Sequence, residues 1–182
     1  MNKLMVRIGI KENRGFSLIE LSIMLAITAV TAAFAIPILT ESVRGMQLAA
    51  DAKKISTTMT YAKLSATSQM TSYQLSFDLA NNQWSLLRRN SSGVFVQQNA
   101  VNGLSDGVEN SGIGFGKTND SIPAPDVFAA TSSSTITFNA RGLPSGTGIV
   151  YLHNNDTDYA VSVSLAGKIQ VWRYRDNAWV ET

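Results

Sequence analysis

The sequence contains no cysteine, only one histidine and four prolines, and little net charge. Without cysteine there is no disulfide, no thiol nucleophile and no thiolate metal site. One histidine, His153, is too few for most transition-metal centres and leaves a Ser/His/Asp arrangement without support. The chain of 182 residues carries a formal charge of +2 and a pI of about 9.0. That basic character is local. Residues 1–15 hold four of the 15 cations (Lys3, Arg7, Lys11, Arg14) and one of the 13 acids. Residues 16–182 carry eleven cations against twelve acids, a net −1, which argues against a general nucleic-acid-binding surface.

What the sequence does have is one long apolar run. It starts in Gly15-Phe16-Ser17-Leu18-Ile19-Glu20-Leu21 and continues to Leu39 with Glu20 as its single charge. Roughly 20 such residues suffice to cross the hydrocarbon core of a bilayer. A carboxylate inserted that deeply costs on the order of 3 kcal/mol unless compensated, so Glu20 reads as a functional residue. Two plainer readings compete: a simple membrane anchor with an accidental Glu, and a secretory signal peptide cut after Ala33-Phe34-Ala35. The run is longer than the apolar core of about 7–15 residues usual in such peptides, and Glu20 lies inside it. The cations before the run favour a cytoplasmic N-terminus, which puts the rest of the chain outside the cytoplasm.

Residues from Phe16 to about Met70 read as one long helix, with Pro37 removing a backbone donor partway and Gly45 weakening the same region. From Leu48 the pattern turns amphipathic: Leu48, Ala52, Ile55, Met59 and Ala62 recur at three- and four-residue spacing and need a sheet to cover them. Strand signals follow at Tyr73–Phe77 and Trp84–Leu87 around an Asn81-Asn82 turn, and more weakly at Val94–Val96. Residues 97–134, rich in Gly, Ser, Asn, Asp and Pro, read as a long surface excursion with one short strand, the place for specificity. Thr135–Phe138, Gly148–Leu152, Tyr159–Leu165 and Lys168–Tyr174 complete the strands, with turns at 153–157 and 166–167. The expected fold class is α+β: a long N-terminal helix, membrane-spanning in its first half, packed on an antiparallel sheet.

Three local patterns invite functional readings. Ser111–Thr118 has the outline of a phosphate-binding loop, but Ser111 stands where glycine is needed, and no flanking strand and helix are evident. Asp156 and Asp158 offer oxygen ligands, yet two acids in a short turn are too few for a calcium site. Near the C-terminus, Lys168, Arg173 and Arg175 interleave with Trp172 and Tyr174, a composition that can contact phosphates and stack on bases. Asp176 and Glu181 beside them make a solvated edge strand the simpler reading. No catalytic constellation, cofactor site or metal site emerges.

Arg14-Gly15-Phe16 followed by Ser-Leu-Ile-Glu-Leu resembles the class III signal of type IV pilins and type II secretion pseudopilins. Tyr61-Ala62-Lys63 with Ala66, Phe138-Asn139-Ala140-Arg141-Gly142, and Ala166-Gly167-Lys168 resemble marks of the H-type pseudopilins and FimT-type minor pilins. The resemblance implies three segments: a cleaved leader at 1–15, a transmembrane and filament-core helix at 16–44, and an extracytoplasmic pilin-like domain at 45–182. It implies a prepilin peptidase cutting after Gly15 and methylating the new amine of Phe16. Glu20 would meet such an amine on its own chain or the preceding subunit, and Pro37 would mark where the helix bends or melts during assembly. The lack of a disulfide sets the chain apart from many major pilins and favours a pseudopilin or minor pilin. The function implied is structural, not enzymatic: a minor subunit at or near the tip of a type II secretion pseudopilus or a type IV pilus. Its partners would be other pilin subunits, the peptidase/N-methyltransferase and the inner membrane. The alternative is a FimT-like DNA-binding minor pilin for natural transformation. There the family's basic Gly-Arg-x-Arg segment reads Gly167-Lys168-Ile169-Gln170, which keeps one cation and loses the other.

Overall fold

The computed structural model describes residues 16–98, 101–104, 112–125, 128–129 and 131–182, without the side chains of 36–41. Gly15, Ser111 and the Pro37 side chain therefore lie outside the described residues. Helix α1 spans Leu18–Ser68, close to the expected bounds. The chain divides into two compact units at Thr40/Glu41. In the first, Leu18–Ala35 has a mean hydropathy of 2.1 and no residue is buried. Its polar hydroxyls are satisfied within the helix: Ser22, Thr28 and Thr31 donate to the carbonyls of Leu18, Met24 and Ile27. No polar side chain of that kind then needs a partner in an apolar surrounding.

In the second unit α1 buries one stripe, Leu48, Ala52, Ile55, Met59, Ala62 and Ala66, each fully excluded from solvent. The three- and four-residue spacing places all six on one face. The helix stops through paired reverse bonds, Thr71 N–H to Ala66 O at 3.2 Å and Met70 N–H to Thr67 O at 3.4 Å. Met70 takes the left-handed conformation that such an ending requires, with φ of 51°.

Two antiparallel sheets close on that stripe. The strands in chain order are β1 Tyr73–Asp78, β2 Gln83–Arg89, β3 Phe95–Gln97, β4 Asn102–Gly103, β5 Gly114–Phe115, β6 Thr135–Phe138, β7 Gly148–His153, β8 Asp158–Val163, β9 Ile169–Arg175 and β10 Ala178–Glu181. The first sheet runs β3-β2-β1-β6, with β4 also paired to β2; the second runs β10-β9-β8-β7-β5. Leu75, Phe77, Trp84, Leu86 and Phe138 of the first sheet join Val150, Leu152, Val161 and Val163 of the second in one core with the helix stripe. The sheets are stitched where Asn82, in the β1–β2 turn, accepts the Phe115 N–H at 2.9 Å and Phe77 meets Phe115 edge to face at 5.8 Å.

Two expectations are corrected. Among the described residues the 97–134 excursion holds two short strands, not one, and it is not all surface. Leu104 and Ile113 enter the core, and the stretch beyond β5 folds over the outer face of the second sheet. There Tyr151 Oη donates to Ala129 O at 2.7 Å, Trp179 Nε1 donates to Pro123 O at 2.7 Å, and Lys117 Nζ reaches Ile122 O at 2.7 Å. With both faces covered, all six residues of β8 are buried, and the outer-facing positions are Asp158, which accepts the Thr118 N–H, and the small Ala160 and Ser162. The second correction is β10, which extends the sheet beyond Tyr174. Asp176 and Asn177, with φ of 52° and 61°, form the two-residue turn that joins it to β9. Positive φ at both turn residues suits the right-handed twist of a hairpin.

Packing at the β7 end leaves no slack. A Cβ at Gly148 would stand 2.8 Å from Ile136 Cγ1, a residue itself buried in the core. Gly148→Ala is expected to destabilise the domain by about 1–3 kcal/mol through overpacking, and Ile55→Ala by about 2–5 kcal/mol through a cavity. Denaturant titration measures both. Tyr151 generates a second prediction. Burial raises its phenol to about 12, so the neutral form is the one the fold favours. That contribution is complete below pH 10 and is lost as pH rises from 10 to about 12. Ultraviolet titration should show one late-ionising tyrosine that disappears in Tyr151→Phe.

Candidate functional site

Glu20 lies in the first turn of α1, and Phe16 precedes the helix as an exposed residue. Leu21 N–H donates to Ser17 O at 3.1 Å, so the turn carrying Glu20 is already formed. Glu20 stands four positions after Phe16, one helical turn, on a segment none of whose residues is covered.

Three stretches singled out separately in the sequence meet at one place in the domain. Lys63, on α1, extends its ammonium to the carbonyl oxygen of Gly167 at 2.8 Å, in the β8–β9 turn. Gly142, in the loop after β6, packs on the same lysine: a Cβ there would lie 3.5 Å from Lys63 Cγ and 3.4 Å from Thr67 Oγ1. A Cβ on Gly167 would meet Lys63 Nζ at 3.3 Å and Gly142 O at 3.4 Å. Both glycines have φ near +75°, at 75° and 76°, where an L side chain is strained. Asn139 shapes the loop by accepting the N–H groups of Arg141 and Leu143 at 2.9 and 3.2 Å. Helix, first sheet and second sheet are thus clamped by one cation and two close-packed turns. The motif positions were visible in the sequence, but their convergence on Lys63 was not, since 104 residues separate the bonded pair.

The C-terminal cations do not converge. Lys168 is paired with Glu181 at 3.3 Å, and Arg175 with Asp176 at 3.4 Å. Hydrogen bonds from Gln170 and then Lys168 hold the Glu181 carboxyl below its ordinary range. Arg173 lies over the Tyr159 ring at 5.9 Å. Trp172 donates to Ser162 Oγ at 2.8 Å, and Tyr174 packs on Trp179 at 5.2 Å, so both aromatics are engaged on the covered face. Alternation along β9 puts Arg173 and Arg175 on the face opposite Trp172 and Tyr174.

The remaining sequence patterns resolve into structural roles. Gly114-Phe115 is strand β5, and Lys117, following it, is spent on Ile122 O and the Tyr151 ring face at 5.3 Å, not on a phosphate cradle. Asp158 accepts the Thr118 N–H at 2.7 Å, and Asn154, also buried, accepts those of Asp156 and Thr157. Among the described residues no group of three or more His, Cys, Asp or Glu is placed to hold a metal. His153 sits opposite Gly114 at the end of β7. If the clamp holds the layers together, Lys63→Ala should cost about 1–2 kcal/mol, a charged hydrogen bond discounted for partial exposure, and Gly167→Ala a similar amount through strain. Chemical denaturation, with the two variants also combined, measures this; fully additive effects would show that the two residues do not act together.

The sequence model of the family described as "Type II transport protein GspH" matches residues 51–167, from the buried helix stripe to the clamp turn. Among solved structures, the fold is similar to the type IV minor pilin FimU of Pseudomonas aeruginosa, with a TM-score of 0.52 and 17% identity over 75% of this chain and 94% of that one. It is also similar to the minor pseudopilin EpsH from the type 2 secretion system of Vibrio cholerae, with a TM-score of 0.50 and 12% identity over 69% and 95% of the two chains. At these identities the structural likeness establishes the pilin-like α+β fold. No curated protein matches the sequence. With well over half its length matched by the family model, the chain belongs to the GspH family of type II transport proteins, whose members are structural pilin-type subunits.

Proposed function

We propose that the protein is a membrane-anchored minor subunit that is matured by a prepilin peptidase and built in at or near the tip of a type II secretion pseudopilus or type IV pilus. The observation that carries this reading is the union of two features in one chain. A wholly exposed apolar helical segment, Leu18–Ala35, with a single carboxylate at its start precedes a domain of the GspH family. In this reading the peptidase cuts between Gly15 and Phe16 on the cytoplasmic side, and the new amine is methylated. The Phe16 amine then offsets the cost of the Glu20 carboxylate in an apolar filament core, which sets the axial register. The 45–182 domain lies on the periplasmic side, and Pro37 supplies a weak point where the helix yields during assembly. DNA reception is not favoured by any contact described above: two of the three candidate cations have acidic partners, and the aromatics are packed.

The intact mass of the membrane-extracted chain tests maturation. The expected species begins at Phe16 and carries one methyl group; a species beginning at Ile36 contradicts it and turns the anchor into a discarded signal peptide. A bulky residue at Gly15 is expected to leave residues 1–15 attached. Glu20→Ala should be cleaved normally yet enter filaments roughly tenfold less, because the Phe16 amine loses its counter-charge. Sheared-filament immunoblots read the incorporation, and unchanged incorporation would remove the pairing from the account.

A further inference from the structure

A groove of about 500 Å³ lies in the second unit between the start of its helix and the β7–β8 turn. Ser42 and Met46 form one wall; Asp156, Thr157, Tyr159 and Arg173 form the other. Arg173 is held over the Tyr159 ring and, among the described residues, forms no ion pair. Asp156 sits on the same rim without pairing directly to it. The groove therefore presents a cation and an anion that are not paired with each other, together with the hydroxyls of Ser42 and Thr157 and the apolar Met46 and Ala49.

Its distance from the membrane is limited by covalent geometry. Ser42 stands seven positions after Ala35, which lies within the apolar run that continues to Leu39. Seven residues reach at most about 25 Å in any conformation. The polar headgroup layer occupies the first several ångströms of that distance, at about 5–8 Å per leaflet.

We infer that this groove binds the headgroup of a zwitterionic phospholipid bearing a primary ammonium, phosphoethanolamine in type. The phosphate takes the Arg173 guanidinium as a charge-assisted hydrogen-bond donor, with the Ser42 and Thr157 hydroxyls beside it. The ammonium takes the Asp156 carboxylate, and the glycerol and upper acyl carbons lie along Met46 and Ala49. A headgroup with both charges satisfies both sides of the groove, whereas a purely anionic one leaves Asp156 opposed to it. The bound lipid would hold the domain against the leaflet before the subunit leaves it for a filament.

The inference rests on the anchoring reading, and carbonate extraction of the cells tests that separately. A chain released by carbonate removes the anchor itself; a chain that stays in the membrane but shows no headgroup preference removes only the groove. For the groove, the full chain in detergent micelles is offered phosphatidylethanolamine, phosphatidylcholine or phosphatidylglycerol at equal concentration, and retained lipid is counted by native mass spectrometry. Phosphatidylethanolamine should be retained most. Arg173→Ala should lower its retention about tenfold, and Arg173→Lys by less, as expected for loss of a charged hydrogen bond. Asp156→Asn should bring phosphatidylethanolamine and phosphatidylcholine to the same level, since a trimethylammonium donates no hydrogen bond to the carboxylate. Lys53→Ala, on the exposed helix surface, should behave as the unaltered chain. Circular dichroism confirms folding of each variant. Retention indifferent to headgroup or to Arg173→Lys and Arg173→Ala overturns the inference. So does displacement of the lipid by inorganic phosphate as readily as by glycerophosphoethanolamine, which makes the groove a free-phosphate site.

Discussion

The domain depends on a single row of helix residues that both sheets must cover. Leu48, Ile55 and Met59 supply bulk, while Ala52, Ala62 and Ala66 let the strands approach closely. The two sheets share no strand, and their joint core exists because each packs on this row. A net stability of about 5–15 kcal/mol is usual for such a domain, so one cavity costing about 2–5 kcal/mol on this row is a large share of it. The Lys63 clamp fixes the far end of the same packing by tying helix, β6 loop and β8–β9 turn at one point.

The helix that supplies this row also carries a segment of opposite character. Leu18–Ala35 has no polar face and no cover, while the 48–66 stretch hides one stripe and shows charge elsewhere. The first pattern suits lipid or the interior of a helical assembly, and the second suits a folded domain in water. Glu20 is the one charge within the apolar Leu18–Ala35 segment, where a carboxylate without a compensating partner is costly in an apolar medium. That logic connects the family membership of the domain to a role for its N-terminal helix.

Much of the fold was legible because its signals were short-range. The 3.6-residue row on α1, the alternation in Tyr73–Phe77 and the Asn81-Asn82 turn each state their own structure. The strap over the outer sheet face was not legible, because its bonds join Trp179 to Pro123 and Tyr151 to Ala129 across 56 and 22 residues. Only the small Ala160 and Ser162 within β8 hint at a covered second face. The β10 hairpin has a local signal, an Asp-Asn pair between Tyr-Arg and Ala-Trp-Val. At the candidate sites, sequence placed Lys168, Arg173 and Arg175 close together along the chain. In the folded chain strand alternation turns Trp172 and Tyr174 away from Arg173 and Arg175, and Glu181 and Asp176 pair with Lys168 and Arg175. Conversely, Arg173 and Asp156 lie far apart in sequence and share one groove, which only the folded chain reveals.

The central claim is that the apolar helix is retained and ends among the helices of other subunits. A photoreactive benzoylphenylalanine in place of Ile23, on the exposed helix, tests it most directly. In cells with an active assembly system, the account predicts adducts to other pilin-type subunits, and their loss when Gly15 is replaced by a bulky residue. Recovery of the chain as a soluble extracytoplasmic protein lacking residue 23, with no adducts, would contradict it.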